Sequence, residues 1–267
     1  MSDARFELVR VPSGALSLRS REHGETFHPG IGPIEEARLL HVAQHRFEER
    51  LRPGGVIWDV GLGAAANAIA LIEALRSNPA EIALRSFDQT LGPLEFALDH
   101  AAELKYPAPW VRELGELLAS RRVRIGPICW TLDLGDFRDR LHDAAAPMAI
   151  MFDPYSPTAN PAMWTRDLFR AIRERAGGHC TLTTYSRSTV TRVRLLQAGW
   201  CVGRGAPTGE KTETTVAATF PDLLRDPLRR DWLDRVRRST APALRESGSS
   251  PEEIARSLEL CPQMSVQ

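Results

Sequence analysis

Lysine is nearly missing from these 267 residues, with only Lys105 and Lys211 among 34 basic side chains that face 34 acidic ones. The arginine excess matches a coding bias and carries no function by itself. Zero net charge excludes a protein that coats nucleic acid indiscriminately, although a local basic patch stays open. Cysteine is sparse too: Cys129, Cys180, Cys201 and Cys261 lie far apart with no Cys-x-x-Cys pair. That leaves neither a zinc knuckle nor a disulfide framework and fits a reducing, cytoplasmic setting. Long apolar runs are absent, and Met1 to Arg10 lacks a signal-peptide core, so a soluble chain without a membrane partner is expected. The length allows one large domain or two small ones and suffices to bury a core.

What is present is organised around residues 151–164, Met-Phe-Asp-Pro-Tyr-Ser-Pro-Thr-Ala-Asn-Pro-Ala-Met-Trp. Met148 to Phe152 form a short apolar run that predicts a buried strand; Asp153 ends it, and Pro154, Pro157 and Pro161 forbid helix and sheet beyond it. In open α/β sheets ligands bind at this carboxyl edge. Asp153, Tyr155, Asn160 and Trp164 together offer a charge, a hydroxyl, an amide and a flat surface. The plainer reading of such an Asp-Pro loop is a cap followed by a turn.

Upstream, a polar segment holds an edge strand within Gly14 to Ser20 and a loop over Glu22 to Gly30. A helix is expected from about Ile34 to Leu51. His41 and His45 sit four apart on it, a spacing zinc requires, but no His-Glu-x-x-His pattern or third ligand accompanies them, so they read as residues of its polar face and no metal is assigned. Val56 to Val60 is β-rich, Gly61-Leu62-Gly63 follows, and Ala64 to Leu75 is helical. Strand, glycine turn and helix is the arrangement that lets backbone N–H groups approach a nucleotide. Ala66 stands where the dinucleotide fingerprint has its third residue, and no lysine follows to make a P-loop. A second strand, Ile82 to Phe87, ends in Asp88, at the spacing of an acid that binds both ribose hydroxyls or of a simple strand-end cap.

Helices over Pro93 to His100 and Pro109 to Ser120 precede a third strand, Val123 to Ile128. Then Thr131 to Asp136 turns into a helix near Phe137 to Leu141, where Asp136 either meets an adenine amino group or caps that helix. After the 151–164 stretch come a helix from Thr165 to about Ala176, strand Cys180 to Tyr185, helix Thr189 to Ala198, strand Trp200 to Gly203, and an antiparallel return strand from Glu213 to Thr219. A mostly parallel sheet closed by a terminal antiparallel hairpin is the most economical architecture.

This order resembles the class I S-adenosylmethionine-dependent methyltransferases, a Rossmann-like α/β fold. At Asp153 to Phe169 it resembles the MnmC-type tRNA methyltransferase family, whose block Asp-Gly-Phe-Ala-Pro-x-Lys-Asn-Pro-x-Met-Trp is matched by residues 153–164. Thr183 to Ser186, Arg192 to Gly199, Gly209 to Glu213, and Ser86 to Asp88 with Pro109-Trp110 are similar as well. The resemblance covers about Leu16 to Ala218. It implies a seven-stranded sheet, S-adenosylmethionine as cofactor, and methyl transfer to the 5-aminomethyl group of a wobble (2-thio)uridine in tRNA. A stand-alone methyltransferase is implied, since the residues after Phe220 are too few for the flavin-dependent oxidase of bifunctional members, and a separate enzyme would supply the amine. Ala159 replaces the family lysine, Pro154 a glycine, and Ala64-Ala65 a Thr-Gly pair. These departures keep two alternatives open, a methyltransferase of a small amine or peptide and an inactive cofactor-binding partner.

The candidate cofactor set is Asp59, Gly61, Leu62, Gly63, Asn67, Asp88, Asp136 and Asp153. Asp153, Tyr155 and Asn160 are the candidate catalytic residues, Asp153 holding the acceptor ammonium while its proton leaves. Pro157, Trp164 and Lys211 are candidates for substrate binding, Trp164 either stacking on a base or filling the core. Residues 1–51 are expected to cover the site, 52–220 to form the catalytic core and 221–267 a helical tail. In that tail Leu224 to Arg238 reads as an arginine-rich helix, either solvated or touching RNA phosphates. Ser247 to Pro251 reads as a linker, and Ser250 with Glu253 as a capping box for a helix from Pro251 to Leu258.

Overall fold

Strand β4 (Gly55–Val60) is apolar on both faces, which suits a central parallel strand covered on each side. It pairs in parallel with β5 (Ile82–Asp88) and β8 (Ala149–Phe152); β5 continues to β7 (Ile128–Leu134) and β8 to β9 (Thr181–Thr184). Beyond β9 lie two antiparallel strands, β11 (Thr214–Ala218) and then β10 (Cys201–Gly205), the expected terminal hairpin. At the opposite edge β6 (Arg122–Ile125) folds back antiparallel on β7. The computed structural model describes residues 5–209, 212–245 and 248–265.

The sheet therefore has eight strands, one more than expected. The extra one arises where a single strand over Val123 to Ile128 was anticipated: Gly126 takes φ +54° and starts a tight turn before Pro127, so the run becomes a hairpin. Thr131 to Leu134, read as a turn, instead prolongs β7. Alternate residues of β4 enter opposite layers, Ile57 packing with Ile69, Leu114 and Trp130, and Trp58 with Phe87, Phe137 and Ile150.

The expected long helix after residue 33 is broken. Pro33–Ala37 is α-helical, Arg38–Val42 is a π-helical turn, Ala43–His45 resumes, and Arg46 at φ +55° redirects the chain into Phe47–Arg50. The wider π turn re-aims the side chains that follow it, a device concentrated at functional sites. As a result His41 and His45 are buried, not on a polar face: His41 bonds Thr183 and His45 bonds Thr181 on β9.

A separate three-stranded sheet, β1 (Phe6–Arg10), β2 (Leu16–Ser20) and β3 (Glu25–Thr26), packs Phe6 and Leu18 against Phe96 and Ala97 of the Gly92–Asp99 helix. The end of the chain is equally integrated. Pro227 interrupts the helix expected over 224–238, bridges to Gly203 of β10, and leaves only Leu233–Arg237 in α-helix. Trp232, Leu233, Val236, Ile254 and Leu258 join the main core, and Gln263 bonds the backbone of Val202 and Leu228. The arginines of this region pair with acids, Arg237 with Glu259 and Arg235 with Glu213. The Ser250–Glu253 capping box forms and starts the Pro251–Leu258 helix; Ser247 of the expected linker lies outside the described residues.

Candidate active site

The carboxyl ends of β5, β4 and β8 open into a cavity of about 600 Å³. Its floor is the turn after β4. Gly61 has φ +93°, and a Cβ there would stand 2.7 Å from the Asp153 carbonyl oxygen, so only glycine lets this turn pass under the neighbouring strand end. Gly63, at φ +52°, leaves room for the Phe27 ring, 3.1 Å from where its Cβ would be. The turn hands over to helix Ala66–Leu75, whose Asn67 is buried and faces the cavity.

Two strand-end acids flank the turn. Asp88 accepts from Gly63 N at 2.8 Å and from Thr90 N at 3.1 Å. Burial raises its pKa, and these backbone donors only moderate the rise. Asp153 accepts from Asn67 Nδ2 at 2.8 Å, and His41 Nε2 lies 3.9 Å from its Oδ2. Burial alone would raise the Asp153 pKa; the His41 side chain, the charge of His28 and Asn67 outweigh it and hold the group below the usual carboxylate range.

The loop beyond Asp153 is pinned from three sides. Tyr185 donates its hydroxyl to Pro154 O at 3.0 Å, Trp164 donates Nε1–H to Tyr155 O at 2.8 Å, and Glu25 of β3 accepts from Ser156 N at 3.0 Å and from its hydroxyl. His23 and Phe27 pack on the Tyr155 ring with centroids 4.0 and 5.5 Å away. Burial pushes the Tyr155 hydroxyl up to about 12, so it stays a neutral donor. Asn160 and Ala159 complete this wall.

Of the residues singled out from sequence, Gly61, Leu62, Gly63, Asn67, Asp88, Asp153, Tyr155 and Asn160 line the cavity together. Others stand elsewhere. Asp59 is fully buried inside β4, accepts from Ser86 Oγ at 2.7 Å, and has its pKa pushed up to about 8 by burial against the pull of Ser86. Asp136 caps helix Phe137–Arg140 through Arg138 N and pairs with the Arg138 guanidinium, which is the helix-cap reading of that residue. Trp164 is fully buried among Phe152, Phe169 and Tyr185, so it fills the core and has no free face for a base. Pro157 is half-buried outside the cavity lining, and Lys211 lies outside the described residues.

Sequence reasoning missed Glu25, Phe27, His28, Glu36 and Tyr185, all lining the cavity. The 22–30 stretch carries no periodicity, and only its density of His, Glu and Phe in a loop was available as a signal. With them the wall contains four carboxylates, Glu25, Glu36, Asp88 and Asp153, two histidines, and, among the described residues, no lysine or arginine.

Residues 108–219 match the family described as S-adenosyl-L-methionine-dependent methyltransferase. The chain is also similar, with 31% identity over 209 residues, to the tRNA 5-methylaminomethyl-2-thiouridine biosynthesis bifunctional protein MnmC of Azoarcus sp. (strain BH72), an alignment covering 73% of this chain and 33% of that protein. The protein of the same name from Burkholderia vietnamiensis is 28% identical over 204 residues, 69% of this chain and 31% of its own length. Among solved structures, MnmC2 from Aquifex aeolicus superposes with a TM-score of 0.71 at 25% identity, covering 97% of this chain and 85% of that one. The chain carries an S-adenosylmethionine-dependent methyltransferase domain, similar to the corresponding part of the MnmC proteins. It spans about a third of the length of the curated relatives it matches.

The methyltransferase's cavity fits its cofactor by its own features. A cradle at Gly61 and Gly63 that a Cβ would fill, an acid at the end of the next strand, and a buried Asn67 whose Oδ1 has no partner among the described residues form one continuous surface. The excess of carboxylates suits a cofactor that carries a positive sulfur. No helix among the described residues is long and apolar enough to cross a membrane.

Proposed function

We propose that this methyltransferase transfers its methyl group to the amine of a 5-aminomethyl-(2-thio)uridine at a tRNA wobble position. The observation that carries the reading is the charge of the cavity: four carboxylates line it without a lysine or arginine among the described residues. Such a wall attracts a cationic alkylammonium and opposes an anionic acceptor. The names of the curated relatives, tRNA 5-methylaminomethyl-2-thiouridine biosynthesis proteins, supply the acceptor's identity.

S-adenosylmethionine brings the methyl group already activated on a positive sulfur. Gly61, Gly63, Asn67 and Asp88 would hold the cofactor, with Asp88 offering a carboxylate to the ribose hydroxyls. Asp153, kept ionised, would draw in the acceptor ammonium, which loses a proton to water so that its lone pair could take the methyl group the cofactor would supply. The fixed carboxylate of Asp153 would stabilise the positive charge that the methylated nitrogen carries. Tyr155 and Asn160 orient the acceptor as neutral hydrogen-bonding groups. The reading places the protein with cytoplasmic tRNA and requires a separate activity that makes the aminomethyl group.

The test is methyl transfer from isotopically labelled cofactor to tRNA bearing the 5-aminomethyl group, followed by nucleoside mass spectrometry. The label is expected on the exocyclic nitrogen of that one nucleoside. Label on a free amine or peptide but never on this tRNA, or cofactor binding without turnover, would overturn the reading.

A further inference from the structure

The buried side chains behind Asp153 form a chain of hydrogen bonds with a fixed direction. Arg50 Nη1 donates to Thr181 Oγ1 at 2.7 Å; Thr181 Oγ1 lies 2.7 Å from His45 Nδ1; His45 Nε2 lies 3.1 Å from Thr183 Oγ1; and Thr183 Oγ1 lies 2.7 Å from His41 Nδ1. A carboxylate only accepts, so the nitrogen of neutral His41 that faces Asp153 carries the proton and Nδ1 accepts from Thr183; Thr183 then accepts from His45 Nε2, and His45 Nδ1 from Thr181, which itself accepts from Arg50. His41 is then left with its proton on Nε2. That atom is fully buried, has no hydrogen-bond partner among the described residues, and faces Asp153 Oδ2 across 3.9 Å.

We infer that His41 is a positioning residue, its Nε2–H aimed at Asp153 by the bond between its Nδ1 and Thr183, so that the carboxylate is fixed and kept ionised. The inference rests on Asp153 being the group that meets the acceptor amine. The present separation exceeds a hydrogen bond, and a shift of about 1 Å on substrate binding closes it, as catalytic contacts commonly tighten then. His45 is held neutral by burial, next to His41 and Arg50, which keeps its Nδ1 available as an acceptor. Asp153 faces His41 from the cavity side, His28 acts on Asp153 by its charge, and Glu36, which lines the cavity, precedes His41 in the same helical segment.

The test compares His41→Leu, His41→Gln and Thr183→Val, each first shown to melt like wild type. Asp153 is titrated by NMR on protein labelled at aspartate carboxyl carbons, with Asp153→Asn assigning its signal. This readout needs no acceptor, so it stands even if the tRNA reading fails. In His41→Leu the Asp153 carboxyl is expected to titrate about one unit higher, and kcat to fall about 10- to 100-fold with cofactor affinity unchanged. His41→Gln retains a donor and is expected within about threefold of wild type. Thr183→Val, which removes the donor to Nδ1 at nearly constant volume, is expected to show part of the His41→Leu shift and decides the matter if His41→Leu does not fold. A folded His41→Leu, or in its absence a folded Thr183→Val, in which Asp153 titrates as in wild type would overturn the inference.

Discussion

Asp88 and Asp153 occupy equivalent places and behave in opposite ways. Each ends, or directly follows, a parallel strand beside β4, one on either side of the Gly61–Gly63 turn. Asp88 is held by backbone N–H groups of its own and the adjacent loop, and burial still raises its pKa. Asp153 is surrounded by side chains from three other segments, Asn67, His41 and His28, and its pKa is lowered despite burial. Backbone donors come with the strand–turn–helix pattern itself, whereas the donors around Asp153 depend on tertiary folding. The fold supplies the donors of Asp88, the proposed cofactor acid, locally and assembles those of Asp153, the proposed acceptor acid, from distant parts.

The largest effect is expected where that assembled charge is removed. Asp153→Asn should lower kcat about 100- to 10,000-fold near neutral pH, while calorimetry finds cofactor affinity within about threefold of wild type. Asp88→Asn should show the reverse, a cofactor Kd about 10- to 100-fold weaker with kcat largely restored at saturation. If both variants lose affinity and turnover together, the division of labour between the two acids is wrong.

A third carboxylate sharpens the contrast, because Asp59 has no contact with the cavity at all. Its pKa, about 8 in the fold against 3.8 for the free group, means that the folded chain keeps a proton which the unfolded chain releases. The stability that Asp59 contributes is thus complete below about pH 4 and declines as pH rises to about 8, where it levels. Denaturation of wild type and Asp59→Asn across about pH 5 to 8 should show the wild type losing about 3–4 kcal/mol relative to the variant. Parallel curves would mean that Asp59 is ionised throughout. The smallest effect is expected at the N-terminal sheet: Glu25→Gln weakens the tie to Ser156 and should raise the acceptor KM about two- to fivefold with kcat nearly unchanged.

The same contrast explains what could be read from sequence. The glycine turn, Asp88 and the Asp153 loop were legible because each is announced within a few residues by apolar runs ending in Gly, Asp or Pro. The groups that tune Asp153 were not. His41 and His45 have the spacing of one helix face, and only the π turn and β9 bury them against Thr181 and Thr183. Glu25 and Phe27 lie in a stretch without periodicity and reach the site because β1–β3 fold across it. Asp136 and Trp164 each carried two readings from sequence; local bonds to Arg138 selected the cap for Asp136, and tertiary packing the core for Trp164. Pro227 was a legible helix breaker, and the arginine-rich periodicity around it obscured the signal.

The most direct test of the central claim is the ratio of wild-type to Asp153→Asn kcat measured from about pH 7 to pH 10 on tRNA bearing the aminomethyl group. If the carboxylate acts by drawing in the ammonium form, the ratio should shrink at least about tenfold as the neutral amine, which it does not attract, becomes the abundant form. A ratio that stays constant across this range, in variants that bind cofactor and melt like wild type, would contradict the account.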